Sequence, residues 1–371
     1  MNSASVLVVG GGIGGLTAAI ALRQKGFAVD VIEKDPDWAV YGVGILQQAN
    51  VVRAMAQLGL FEDYVGAGFG FDAVEIFAPT GQHMATIKSP RVIENYPPNI
   101  GISRRALHKV LGDRTIAAGA KVRLGITAER LDDDGAGVTV SFSDGTTGRY
   151  DLVVGADGLY SRTRTQIFPD APKPEFTGQS VWRYNFVRPP EIVNLHNYVG
   201  QRGIGLAPLS QTLMYMFLTT PEPGNPRLER EGLAVAMQAR LADPPPALAP
   251  LVAQITEDAE VVYKPLEWLF LEGAWHKGRV VLLGDAVHAT TPHLGQGAGM
   301  AIEDSVVLAD ELARAASPEQ AFLAFRERRF ARCKFLVEAS RSICYSQLGK
   351  GPHVDHAQVT REMLALTAQP I

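Results

Sequence analysis

The sequence predicts an α/β protein. A parallel nucleotide-binding sheet is assembled from both ends of the chain, a mainly antiparallel sheet is inserted between its pieces, and helices follow. Three observations predict this. Residues 5–35 hold an apolar run, a glycine cluster, an apolar-periodic helix and a second apolar run ending in an acid. Late in the chain, "RVVLLGD" (279–285) reads as another buried strand of the same kind. Between them, over 172–270, prolines are frequent and strand-like runs such as "SVWRYNFV" and "TLMYMFLTT" appear.

The elements follow in order. Val6–Val9 reads as a buried strand, a helix runs to about Lys25 and stops at Gly26, and "AVDVIEK" is a strand ending in Glu33. Gly10, Gly12 and Gly15 fit G-x-G-x-x-G in its required setting: after a strand, opening a helix, with an acid 23 residues beyond the first glycine. Gly10 permits the tight turn, Gly12 lets a pyrophosphate approach the backbone, and Gly15 lets helix and strand pack closely. The helix N-terminus offers free N–H groups to phosphate. Glu33, with Lys34 beside it, suits a ribose with free hydroxyls, because a 2′-phosphate would be repelled. Farther on, Ala73–Ala78 reads as a strand before a Pro-Thr-Gly turn, and 88–98, with three prolines, as loop. "GISRRALHKVLGDRTIAAGA" reads as a short strand and a helix, and Asp144-Gly145 as a hairpin turn. Residues 299–348 are mostly helical, and no order is assigned to 349–371. The resulting division is discontinuous: 1–72, 98–178 and 271–348 form the nucleotide-binding domain with C-terminal helices, 73–97 and 179–270 the substrate domain, and 349–371 a tail.

Composition narrows the function. With 46% hydrophobic residues, 20% charged residues and a net charge of −4, the chain has material for a large core and no basic surface for nucleic acid. There is no run of 18 apolar residues, so no membrane span is expected. The N-terminal segment has no basic leader and reads as structure, and a cytoplasmic location is expected. Cys333 and Cys344 lie on one helix, separated by roughly 16 Å, too far for a disulfide, and are expected as free thiols.

The most informative stretch is "GDAVHATTPHLGQGAGMAIED" (284–304). His288 and His293 are five apart across Pro292, without a third ligand pattern, so no metal is expected. No G-x-S-x-G elbow supports a hydrolase. Two readings remain for the residues themselves. Asp285 is an N-cap beside a glycine turn, or it ends a buried strand and accepts hydrogen bonds from sugar-alcohol hydroxyls. In the second reading Gly295, Gly297 and Gly299 let the backbone approach a flat ring, at which a helix aims its positive end.

Three motifs occur together: the Gly10-Gly12-Gly15 fingerprint with Glu33, "GADGLYSRTR" (155–164), and "GDAVHATTPHLGQGAGMAIED". In order and spacing the chain resembles the class A flavoprotein aromatic hydroxylases, of the salicylate-hydroxylase-like kind, over roughly residues 5–345. The resemblance implies a Rossmann-type FAD-binding domain (GR2-like) with an inserted antiparallel substrate domain. It implies FAD as cofactor, NADH or NADPH as transient reductant and O2 as co-substrate. The implied reaction is hydroxylation of a small aromatic or heteroaromatic compound through a flavin C4a-hydroperoxide. Carried over by residue, Gly12, Glu33 and the segment around Gly44 hold FAD. Arg104 meets its phosphate or ribityl chain, Asp285 its ribityl and pyrophosphate, and backbone at Gly297 and Ala298 its pyrimidine edge. Asp157 links FAD and the nicotinamide cofactor.

The substrate side is less specified. Arg183 is either a flavin- or substrate-facing cation or half of an interdomain salt bridge. Tyr215 either bonds a substrate hydroxyl or is a core aromatic. His293, after Pro292, is a candidate for substrate contact and proton transfer, and His288 is expected to pack beneath the loop. Pro292, Met214 and Phe217 are candidate pocket residues, with Trp182, Phe186 and Met216 open because the inward face of each strand is not decided by the sequence. "RERRFARCK" (326–334) is expected to be a solvated helix face. Where the family often has Arg-Gly, Tyr184 follows Arg183, so the pocket shape is expected to differ. Alternatives are an epoxidase or oxidative tailoring enzyme on a bulkier substrate, and a non-catalytic flavin-binding redox protein. A monomer or a homodimer is expected.

Overall fold

The chain starts with a continuous apolar run, residues 6–9, and the local result is a strand buried on both faces. In the computed structural model, which describes residues 4–40, 42–200 and 202–371, Ser5–Val9 sits inside a six-stranded sheet. The sheet order is His276–Lys277, Val280–Leu282, Leu152–Gly155, Ser5–Val9, Ala28–Glu33 and Lys121–Leu124. All pairings are parallel except the first, which is a short hairpin. Parallel strands need crossovers that cover both faces, so their sequences are nearly continuous apolar runs. Val6, Leu7, Val8, Val153, Val154, Val281 and Leu282 are fully buried.

Helix Ile13–Gln24 follows the first strand and packs on Gly297–Arg314, a helix almost 290 residues later in the chain. Thr17 Oγ1 and Ser305 Oγ meet 2.9 Å apart across that contact. The two ends of the chain thus build one layer. Gly10 adopts φ +112°, and a Cβ there would meet the Ala156 carbonyl oxygen. A Cβ on Gly15 would stand 1.8 Å from the Gly10 carbonyl oxygen, so only glycine lets helix and strand approach this closely.

A second sheet has seven strands: Val262–Trp268, Glu175–Val187, Leu213–Pro221, Gly203–Pro208, Leu195–Tyr198, Ala73–Phe77 and His83–Lys88. It is antiparallel except where Leu195–Tyr198 runs parallel to Ala73–Phe77. The strand period of two gives Glu175–Val187 and Leu213–Pro221 two different faces. Trp182, Tyr184, Phe186, Met214, Met216 and Leu218 form a separate apolar core with Leu233, Met237 and Leu241 of the covering helix region. Val181, Arg183, Tyr215, Phe217 and Thr219 point the other way, toward the first sheet. Met214, expected in the pocket, is therefore on the wrong face: it pairs with Phe186 and is fully buried in the distal core.

One unassigned stretch gains structure and one further expectation is corrected. Residues 349–371 include a helix, His356–Ala368, capped by the Asp355 side chain, which accepts from Gln358 N at 3.0 Å. It docks on Ala49–Gln57, and arginines bind its C-terminal end. Arg53 donates to the Thr367 and Ala368 carbonyls, Arg332 to those of Gln369 and Pro370, and Arg328 to that of Ile371. These bonds satisfy carbonyls that a helix end leaves without partners. The stretch 326–334 is also not a solvated face, because Arg329 is fully buried and Arg332 nearly so. The facing helix carries Glu303 and Asp304 inside the protein, and buried carboxylates require cations. Cys333 and Cys344 are free and buried. No helix among the described residues is long and apolar enough to cross a membrane.

Candidate active site

A cleft of about 930 Å³ runs between the two sheets. One part of its lining comes from Gly12, Ile13 and Gly14. Gly12 is the N-cap of Ile13–Gln24, its position would leave a Cβ touching nothing, and no acidic side chain occupies the helix's first turn. The N–H groups and the positive helix end are thus presented to the cleft uncompensated. A second helix, Gly297–Arg314, opens onto the same cleft with Gly297 and Ala298 and likewise has neither a side-chain cap nor an acid in its first turn. Gly295 stands before it in the left-handed region, φ +66°.

Asp285 follows the strand Val280–Leu282 and is open to the cleft, where its side chain makes no hydrogen bond among the described residues. The surrounding protein raises its pKa, against the pull of His288 and Arg104. Arg104 begins the helix Arg104–Ala117 behind Ser103, whose side chain caps that helix, and it lines the cleft. Glu33 accepts from Gly11 N at 2.8 Å and from Asp35 N at 2.9 Å, and so shapes the glycine loop. The loop is also held by the Trp38 Nε1–H and the His108 ring, both on the Gly11 carbonyl. Gly44 lines the cleft where a Cβ would strike Tyr215 and Leu209.

Five expected cofactor residues do not line the cleft: Gly10, Gly15 and Glu33, which shape the glycine loop from behind, and Asp157 and Lys34. The Asp157 carboxylate is used by its own turn: it accepts from Ser161 Oγ, Thr163 N and Thr163 Oγ1 at 2.5–3.0 Å. Its neighbours Ala156 and Gly158, not Asp157, line the cleft. Lys34 is exposed and outside the lining, in the bend that follows the strand Ala28–Glu33.

The other part of the lining comes from the second sheet. Arg183 reaches the cleft and makes no hydrogen bond or ion pair among the described residues, so the salt-bridge alternative is not what the fold builds. Burial and the nearby Arg104 lower its pKa to about 10, with Tyr215 acting against them, so it remains cationic at neutral pH. Burial raises the Tyr215 pKa, opposed by the two arginines, so the phenol stays protonated. Phe217 and Pro292 line the same space.

His293 is held on both sides. Nδ1 lies 3.0 Å from Thr291 Oγ1, and Nε2 lies 3.1 Å from both Gln179 Oε1 and Gln347 Oε1. Two carboxamide oxygens around Nε2 place the proton there and leave Nδ1 to accept from the threonine. Burial, with His356 nearby, lowers its pKa to about 3. A ring this weakly basic, with both nitrogens engaged, is poorly suited to accept a proton near neutral pH. His288 packs beneath the loop, as its sequence context suggests, 2.6 Å from Asp304 and fully buried.

The sequence reading missed several lining residues. Gln347, from the end of the helix Pro318–Gln347, and His356, Thr360 and Met363, from the last helix, all reach the cleft. Apolar spacing at 356–368 was the available signal for that helix, but nothing local shows where it docks.

Residues 3–340 match the model of the family described as FAD binding domain. The chain belongs to that family. It is 30% identical over 364 residues to an FAD-dependent urate hydroxylase of Klebsiella pneumoniae, covering 95% of this chain and 92% of the relative. It is 29% identical over 340 residues to the 2-heptyl-3-hydroxy-4(1H)-quinolone synthase of Pseudomonas aeruginosa, covering 91% and 87%. The crystal structure of Klebsiella pneumoniae HpxO complexed with FAD and uric acid superposes with a TM-score of 0.84 at 26% identity, covering 98% of this chain and 92% of that one. The protein is an FAD-dependent monooxygenase of the class A flavoprotein hydroxylase kind, and FAD is its cofactor. The residues present fit that group: two uncompensated helix N-termini and an open carboxylate face one cleft.

Proposed function

We propose that this monooxygenase hydroxylates a small aromatic or heteroaromatic ring, with NADH or NADPH as reductant and O2 as co-substrate. One observation carries the reading. The cleft that presents the glycine loop, Asp285 and Arg104 is closed on its other side by Arg183, Tyr215 and Phe217 of the second sheet. When bound, FAD supplies the activation of O2, and the chain supplies position and charge. In this reading the N-terminus at Gly12 holds pyrophosphate, and Asp285 and Arg104 hold the chain linking it to the ring system. The backbone at Gly297 and Ala298 faces the ring's polar edge. Arg183 favours negative charge developing in the cleft. Tyr215, kept protonated, donates a hydrogen bond to a ring substituent. Leu46, Val74 and Leu195 help exclude water. Because about 930 Å³ must accommodate the cofactor as well, the space favours a small ring over a bulky substrate.

The test is oxidation of NADH and NADPH by the FAD-loaded protein against phenols, hydroxybenzoates, hydroxypyridines, quinolones and purines, with peroxide and hydroxylated product measured together. Stimulation by one ring class, matched by product, is expected. Oxidation that yields only peroxide with every ring would overturn the reading. Arg183→Met is expected to lower the stimulated rate by about 100-fold, the scale seen when one preorganised donor to a developing charge is lost.

A further inference from the structure

Gln347 belongs to no motif and sits at the end of the 30-residue helix Pro318–Gln347, yet it lines the cleft. Its carboxamide oxygen is surrounded by donors. Gln179 Nε2 donates to it at 2.9 Å, His293 Nε2 lies at 3.1 Å, and Thr219 Oγ1 donates at 3.4 Å. The polarity of the network is set from behind. Burial raises the Cys344 pKa to about 11, so the thiol stays protonated and donates to Gln179 Oε1 at 3.3 Å. Gln179 must then turn its Nε2 toward Gln347. The Thr219 hydroxyl accepts from Gly203 N at 3.2 Å, and its proton lies between the Gln347 carboxamide oxygen at 3.4 Å and the Gly203 carbonyl at 3.5 Å.

With the oxygen so engaged, the amide nitrogen is the polar atom left over. It makes no hydrogen bond among the described residues and is not sealed from solvent. It projects beside Gly203, where a Cβ would come within 3.2 Å of it, so a side chain at 203 would crowd the space in front of the amide. This corner is built from Gln179, Gln347, Thr219 and a neutral His293, and none of them carries formal charge.

From this arrangement we infer that Gln347 determines substrate specificity by donating a hydrogen bond to an uncharged ring carbonyl oxygen, so that the enzyme takes heteroaromatic rings of the lactam or vinylogous-amide type. The inference rests on the small-ring reading above and narrows it. An uncharged donor corner suits a carbonyl, whereas a carboxylate is better met by a cation. A site built to bond a substrate's polar atom discriminates against the analogue that lacks it, because the protein's own group is then left unpaired.

The test is ligand binding to the oxidised, FAD-loaded protein, followed by perturbation of flavin absorbance and needing no turnover. The probes are 4(1H)-quinolone, quinoline, which lacks the oxygen, and salicylate, which carries a carboxylate. Wild type is expected to bind the quinolone about 10-fold more tightly than quinoline, the range of one hydrogen bond. Gln347→Leu is expected to remove that preference while quinoline binding is retained. Gln347→Glu keeps the shape and exchanges the donor for an acceptor. It is expected to reverse the preference, an outcome that mere loosening of the fold would not give. FAD content and thermal melting report whether each variant is folded. Equal binding of quinolone and quinoline by wild type, a preference that survives Gln347→Leu, or binding of salicylate alone would overturn the inference and leave the small-ring reading standing. No binding of any of the three, together with no ring-stimulated oxidation, would overturn both.

Discussion

The loop 284–297 has a back and a front, and its two histidines show how different they are. His288 faces back into the protein. Its Nε2 lies 2.6 Å from Asp304, which also accepts from Gly284 N at 3.0 Å and from Arg329 Nε at 2.8 Å. Arg329 also pairs with Glu303, and Glu303 with Arg332. Burial opposes charge on His288, but Cys333 and Asp304 outweigh it and hold its pKa well above 6.5. His293, five residues on, faces the cleft among carboxamides, and its pKa falls to about 3. Burial pushes both rings toward the neutral form; at His288 Cys333 and the Asp304 carboxylate overcome it, whereas at His293 the Gln347 amide oxygen, acting in the same direction, does not. The back anchors the loop through charge, and at the front His293 presents an uncharged ring to the cleft.

The contrast can be broken most severely at the back. Asp304→Leu removes the carboxylate shared by Arg329 and His288 and leaves the buried Arg329 charge with Glu303 as its carboxylate partner. It is expected to destabilise the protein by about 3–5 kcal/mol in urea unfolding. A loss below about 1 kcal/mol would show that the network is not what holds the loop. Arg329 is itself raised by these partners, burial acting the other way, so it cannot relieve the imbalance by losing its proton.

Acid titration sharpens the comparison, because the two histidines act with opposite sign. His293 binds a proton in the unfolded chain below about pH 6.5 but in the folded protein only near pH 3. Its contribution to stability is complete above about 6.5 and is lost as pH falls. The slope is about 1.4 kcal/mol per pH unit for one proton. His288, raised, contributes stability that is complete below about 6.5 and is lost as pH rises through its folded value. His293→Asn is therefore expected to flatten the unfolding free energy between pH 6 and 4 relative to wild type. NMR should show the His293 ring neutral and the His288 ring protonated at pH 6. A protonated His293 at that pH would remove the distinction.

The smallest expected effect lies where the back network reaches the last helix. Arg332→Gln removes donors to the Gln369 and Pro370 carbonyls and one partner of Glu303. A loss of about 1–2 kcal/mol and faster amide exchange at the end of His356–Ala368 are expected. Unchanged exchange there would mean that Arg53 and Arg328 suffice.

Much of the cofactor side was legible because its requirements are local. Gly10, Gly12 and Gly15 are demanded by a turn and a close packing distance a few residues away, and Asp285 by the end of its own strand. Even there, Asp157 shows a limit: the local turn that makes its motif recognisable also engages its carboxylate, which accepts from Ser161 and Thr163. The substrate side was legible as strands but not as faces. A period of two says that Met214 and Tyr215 point oppositely, and only the packing of a helix on one side shows that Met214 is the one turned away from the cleft.

The sequence by itself determined the α/β class, the glycine-cradled cofactor loop and the family, because each depends on backbone needs that leave marks at fixed spacing. Only the tertiary structure decided which arginines of 326–334 are buried, that 356–368 walls the cleft, and that His293 is neutral while His288 is charged. Those properties come from groups that separate elements bring together, such as Gln179 and Gln347 at His293 and Asp304 at His288. Burial and partnership act on distance in space, to which local periodicity is blind.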